Sequence, residues 1–222
     1  MSTISARPPI GQHLLVNNVD WRAYSRLLRI FAEHRGIRMA YDREVLEIRS
    51  PLPEHEIDAE FLGRLVIELT EVFGLTVKAG GSSALRRRRK QRGIDPDRCY
   101  WIANEPAMRG KHTLDLRVDP PPDLAIEVDV TSSSINRLGI HAALGVPEVW
   151  RLDNQILTFH ALGTSRSYTA ISHSLSFPQV TPADLMNVLV MCGTQEENSV
   201  VRQFRAWVRQ QMSAGGATPS NP

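Results

Sequence analysis

The chain has 222 residues, 42% of them hydrophobic and 23% charged, with a formal net charge of +2. That fits one soluble globular domain with decorations, and the overall charge argues neither for nor against a nucleic-acid partner. Cys99 and Cys192 lie far apart, which argues against a disulfide framework or a Cys/His zinc pattern.

The N-terminal "MSTISARPPIGQ" lacks the apolar run of a signal peptide, and no stretch of about 18 apolar residues follows anywhere. The expectation is a cytoplasmic protein with no membrane partner. Residues 1–19 read as an N-terminal extension, 20–212 as a single domain, and the Pro/Gly-rich 213–222 as a disordered tail.

Asp20 is placed to cap a helix running to about His34, with Trp21, Tyr24, Leu27, Leu28 and Phe31 as its apolar stripe and Gly36 as its stop. "IRMAYDREVLEIRS" reads as two short strands with a turn near Asp42. "EHEIDAEFLGRLVIELTEVFG" carries helical spacing through Ile57, Phe61, Leu62, Leu65, Leu69, Val72 and Phe73, and Gly74 ends it. "LTVKAGG" is a strand, Ser82 to Gly93 a basic loop, and "RCYWIA" a strand entered through "GIDPD".

A loop from Asn104 to Pro122 leads into "DPPPDLAIEVDVTSSS" at 119–134. Ser132, Ser133 or Ser134 would cap the helix "INRLGIHAAL", which stops at Gly145. "PEVWRLDNQILTFHAL" gives two strands around Asp153 and Asn154, with Trp150 in the core, and a last helix runs from Ser199 to Met212. This order suggests one mixed sheet with helices on its faces, α/β on the border of α+β. A crossover over 124–152 brings the start of the 134–144 helix near the end of the preceding strand.

The 124–130 strand has one aliphatic face, Leu124, Ile126, Val128 and Val130. The other face presents Asp123, Glu127 and Asp129, with Ala125 between. Same-face neighbours on a strand are roughly 7 Å apart, so Glu127 and Asp129 can share a cation, while Asp123, about 14 Å from Glu127, closes the turn after the prolines instead. An acidic face turned to solvent is the plain reading. Against it, if the "RCYWIA" strand pairs with this one, Asp97 faces Glu127, and converging carboxylates repel unless a hard cation such as Mg²⁺ or Mn²⁺ lies between them.

"GIDPDRCYWI", "PPPDLAIEVDVTSSS" and "GVPEVWRLD" together resemble the Uma-two family of the PD-(D/E)XK nuclease superfamily, over roughly residues 35 to 190. The resemblance implies a restriction-endonuclease-like mixed sheet flanked by helices and a metal-dependent endonuclease. It matches Asp97 to the first carboxylate and Glu127 to the acidic position of the second motif, the two ligands of Mg²⁺ or Mn²⁺. Asp129 occupies the lysine position, a departure from the superfamily pattern. Family members often carry a lysine in the next helix, four residues before an aromatic; here these are Arg137 and His141. Arginine keeps the charge that stabilises phosphate but is a poor general base.

The superfamily often draws a further acid from the 55–73 helix, where Glu56 and Glu60 are the candidates; their plain reading is a solvated face, with Glu60 pairing Arg64. Arg86, Arg87, Arg88, Arg89 and Lys90 form a run suited to a phosphate backbone, or else a solvated loop. The partner implied is nucleic acid, DNA before RNA, with a homodimer suited to cutting both strands. The alternative is a degenerate nuclease fold that binds nucleic acid or a protein without cleavage. A glycosidase with paired carboxylates fits poorly, because aromatic residues are 6% of the chain and mostly at core positions.

Overall fold

The computed structural model describes residues 13–34, 36–129 and 135–215. In chain order the elements are β1 (His13–Val16), α1 (Trp21–Ile30), β2 (Arg38–Asp42), β3 (Val45–Arg49), α2 (Pro53–Phe73), β4 (Lys78–Gly81), β5 (Leu85–Arg87) and β6 (Arg92–Ile94). Then follow β7 (Arg98–Trp101), α3 (Glu105–Met108), β8 (Leu124–Asp129), α4 (Arg137–Leu144), β9 (Glu148–Asp153), β10 (Ile156–Leu162), β11 (Tyr168–Ile171), α5 (Pro182–Cys192) and α6 (Glu197–Gly215).

Local chemistry sets several of these boundaries. Asp20 caps α1 by accepting from Ala23 N, and Gly74 ends α2 in the left-handed region at φ 66. Arg43 and Glu44, both at positive φ, turn β2 into β3. Thr181 and Asp184 form a reciprocal capping box at the start of α5, a signal present in the sequence that the chain-order reading passed over.

Two sheets form where one was expected. The five-stranded sheet runs β1-β3-β2-β6-β5, and the six-stranded sheet β11-β10-β9-β8-β7-β4. The first exists because the basic stretch read as a loop is a hairpin: β5 pairs with β6 around a 3₁₀ turn at Arg88–Lys90, and β6 pairs with β2. Strands of three residues are too short to show alternation. The second sheet is mixed, as expected, since β8 and β9 are parallel while its other ladders are antiparallel.

Every residue of β8 is buried. Leu124, Ile126 and Val128 pack with α2, α5 and α6 residues in the largest core, which includes Leu65, Leu69, Leu185 and Phe204 around Trp150 and Phe159. Ala125 belongs to a second core, with Ala40 and Ile94 of the first sheet and Ile140 and Leu144 of α4. The acidic face of β8 therefore points into the space between the sheets, not to solvent.

Three smaller expectations are corrected. α1 ends at Ile30, before His34 and Gly36. Ile57, assigned to the apolar stripe of α2, is 65% exposed, because the stripe that faces the sheet begins one turn later at Phe61. The cap of α4 is Asn136, which accepts from Gly139 N; Val130 and the proposed caps Ser132, Ser133 and Ser134 lie outside the described residues.

Candidate active site

The link from β6 to β7 is Asp95-Pro96-Asp97, and it carries the chain from one sheet to the other. Asp95 continues the pairing with β2: its N–H donates to Met39 O and its Oδ2 accepts from Met39 N at 2.9 Å. Asp97 turns the other way, and its Oδ2 accepts from Val128 N at 2.8 Å. The β7–β8 register pairs Arg98 with Ile126, which sets Asp97 opposite Glu127 as the spacing predicted.

The two helix residues named in the sequence reading clasp Glu127. Arg137 and His141 are four apart on α4 and so share one face. Arg137 donates to Glu127 Oε2 from Nε at 2.8 Å and from Nη2 at 2.5 Å, while His141 Nε2 lies 2.6 Å from Oε1. Burial alone would raise the Glu127 carboxyl. Arg137, the His141 hydrogen bond and Arg49 outweigh it and hold Glu127 down to about 2. With Glu127 ionised, His141 Nε2 is the donor, which leaves Nδ1 without a partner among the described residues. His141 is fully buried.

Arg49, at the end of β3, comes from the first sheet and enters the acidic cluster of the second. Its Nη2 is 2.8 Å from Asp97 Oδ1 and 3.7 Å from Glu127 Oε2, and its Nη1 is 3.7 Å from Asp129 Oδ1. Asp129 also accepts from Arg151 Nε at 3.0 Å. Burial and the neighbouring Glu127 charge raise the Asp129 carboxyl above its ordinary value. Glu47, two residues before Arg49 on the same strand face, reaches Arg137 Nη1 at 3.4 Å and His13 Nε2 at 3.2 Å. Arg137 also donates to the Asp95 carbonyl at 3.3 Å. Burial disfavours its charge, but Glu127, Asp97 and Asp129 reverse that and keep it protonated.

The like charges along β8 are thus balanced by guanidinium groups. The carboxylates have the hard oxygen donors that a divalent ion prefers, and Arg49 marks a position among Asp97, Glu127 and Asp129 where positive charge is already drawn in. Their chemistry fits such an ion. Arg49 lies among the oxygens, and among the described residues no group of three His, Cys, Asp or Glu side chains is placed to hold a metal. A cavity of about 140 Å³ opens beside the cluster, lined by Glu127, Asp129, Asn136, Arg137 and Arg151 among others.

The remaining predicted residues lie elsewhere. Glu56 pairs with Arg38 at 2.9 Å, and Glu60 pairs with Arg98 and not with Arg64, which turns to Glu197. Arg98 also donates to the Asp97 carbonyl, so the acids of α2 brace the back of the Asp97 turn without entering the cluster. Arg86 and Arg87 are on or beside β5, and Arg88, Arg89 and Lys90 form the exposed 3₁₀ turn. Among the described residues none of the five bonds to the carboxylates. Sequence reasoning missed Glu47, Arg49 and Arg151, which carry no local signal; Asp95 stood out only as the first acid of the "DPD" pair.

Residues 21–187 match the family model Uma2, described as "Putative restriction endonuclease". Among solved structures the chain is similar to a protein from Anabaena variabilis titled "a putative nuclease belonging to DUF820". The identity is 17%, over 67% of this chain and 89% of that one, with a TM-score of 0.43. No curated protein matches the chain.

Proposed function

The chain belongs to the Uma2 family, and on that premise we propose that it is an endonuclease that hydrolyses nucleic-acid phosphodiester bonds at the Asp97–Glu127–Asp129 cluster. The observation that carries this reading is the convergence of those three carboxylates, from the β6–β7 link and β8, on one cationic position beside an open cavity. Asp97 and Glu127 would hold Mg²⁺ or Mn²⁺. When bound, such an ion lowers the pKa of a water molecule and polarises the phosphoryl oxygens.

The chain's own residues supply the rest. Arg137 and His141 fix the Glu127 carboxylate in orientation and in charge. Arg151 and Arg137 line the cavity and meet the negative charge that develops on phosphorus. Asp129, in the lysine position and with its pKa raised, accepts the proton of the attacking water. Water oxygen bonds to phosphorus, the bond to the leaving ribose or deoxyribose oxygen breaks, and that oxygen takes a proton from solvent. The exposed run Arg86 to Lys90 binds backbone phosphates away from the reacting centre. DNA, a homodimer and a cytoplasmic setting complete the reading; among the described residues no helix is long and apolar enough to cross a membrane.

Incubation of supercoiled plasmid with Mg²⁺ or Mn²⁺, beside EDTA and Glu127→Gln controls, tests it. Cleavage that requires the ion and is lost in Glu127→Gln is the expected result. A folded protein that cuts neither duplex nor single strands with either ion overturns it. A second reading, a nuclease fold that binds nucleic acid without cutting, is favoured by one observation: Arg49, Arg137 and His141 occupy Asp97 and both oxygens of Glu127.

A further inference from the structure

A cavity of about 490 Å³ lies between the end of α1, β2 and the segment before β5. That volume is in the range of sites for small organic ligands. Leu28, Phe31 and Leu114 give it apolar walls, and Arg29, His34 and Arg86 give it cationic ones. Arg29 and Arg86 are exposed, and neither forms an ion pair among the described residues. Asp95 also lines the cavity and is 8% exposed. Its Oδ2 is taken by Met39 N, but its Oδ1 is buried and has no hydrogen-bond partner among the described residues.

An ionised carboxylate oxygen only accepts, so this orphan calls for an N–H or O–H donor. The walls call for a flat apolar body, and the rim calls for an anion. An amino-bearing nucleobase with its phosphates satisfies all three. The Asp95 backbone carbonyl is itself bonded to Arg137, so the cavity floor adjoins the cluster that holds Glu127.

We infer that this cavity seats one unpaired nucleotide of the bound strand, with Asp95 Oδ1 accepting from the amino group of its base and Arg29 and Arg86 holding its phosphates. The inference rests on the nucleic-acid reading above and names the feature of the strand that is recognised. Cytosine, adenine and guanine offer an exocyclic amino donor, whereas thymine and uracil have none and present only the ring N3–H between two carbonyl oxygens. Base choice then comes from Asp95, and backbone affinity from the arginines.

The test compares fluorescence anisotropy of labelled oligo(dC) and oligo(dT) at pH 8 in EDTA, where no cutting intervenes. Wild type should bind oligo(dC) tighter by at least about fivefold, the low end of what one base-edge contact gives. In Asp95→Asn the amide oxygen keeps the Met39 N–H and the amide nitrogen becomes a donor, so the preference should turn towards oligo(dT). Arg86→Ala should weaken both oligonucleotides by the same factor. Asp95→Ala, which removes the acceptor, should bind both alike, and it decides the matter if the Asn variant does not fold. Equal binding of the two by wild type, or a preference that survives both Asp95 substitutions, overturns the pocket while leaving the nucleic-acid reading in place. No binding of either oligonucleotide or of plasmid overturns that reading itself.

Discussion

Arg49 Nη2 lies 2.8 Å from Asp97 Oδ1, and this contact joins the two sheets, since Arg49 ends β3 of the first and Asp97 precedes β7 of the second. A protein-borne cation thus sits among the carboxylates on which a divalent ion would depend. Two like-charged occupants cannot share that position, so the side chain and the ion must compete.

Arg49→Met should therefore raise affinity for Mn²⁺. It should also lower the melting temperature in EDTA, because Asp97 is left buried without its partner, and added Mn²⁺ should restore it by binding the folded state alone. Calorimetric titration and thermal melts of wild type and variant read both effects. Equal Mn²⁺ affinity in the two proteins would refute the competition.

Glu127→Gln should abolish any cleavage and also cost about 3 to 5 kcal/mol of stability, the scale for breaking a buried charge pair. Glu127 is 1% exposed and Arg137 5%, so the substitution leaves a buried guanidinium without its closest charge partner. Urea unfolding monitored by the fluorescence of Trp150 and its fellow tryptophans measures it.

Arg137→Lys keeps the charge but not the fork. It gives up the paired Nε and Nη2 bonds to Glu127 and the reach to Glu47 and the Asp95 carbonyl. The expected loss is about 1.5 to 3 kcal/mol, in keeping with hydrogen bonds to charged groups. A stability equal to wild type would show that one ammonium can replace the whole fork.

Burial pushes the Asp95 carboxyl from its ordinary 3.8 up to about 6, against the Met39 N–H and the charges of Arg38, Arg137 and Arg49. A raised acid costs the folded state once it ionises, so this cost is present above pH 6 and fades as pH falls toward 4. Asp95→Asn, neutral throughout, should then be more stable than wild type by about 2 to 3 kcal/mol at pH 8 and equal to it near pH 4. Glu127 has the opposite sign: its value of about 2 is depressed, so its contribution is full at neutral pH and is lost as pH falls from about 4 toward 2. Melting temperatures of both proteins across pH 3 to 8 separate the two effects.

The parts of this arrangement that are written locally were legible in the sequence. Asp20 as a cap, Gly74 as a stop and the alternation over 124–129 each follow from a spacing of a few residues, whereas the facing of Asp97 and Glu127 depends on the pairing of β7 with β8. The helix partners of Glu127 were within reach too, because Arg137 and His141 share a face whatever the tertiary structure. Arg49 was not legible, being one of 26 Lys and Arg residues and set apart only by the docking of one sheet on another. The same holds for the first sheet, whose β5 and β6 are three residues each, and whose β6 joins it by pairing with β2, some fifty residues earlier in the chain.

The charge network between the sheets also constrains how the protein can change over time. A lineage that loses the guanidinium at 49 is left with buried repulsion at 97, 127 and 129, and one that loses the carboxylate at 127 strands the arginine at 137. Single steps pass through poorly folded intermediates, so drift at these positions should proceed by paired replacements. Among relatives, positions 49 and 97, and positions 127 and 137, should covary in charge more strongly than either covaries with its own sequence neighbours.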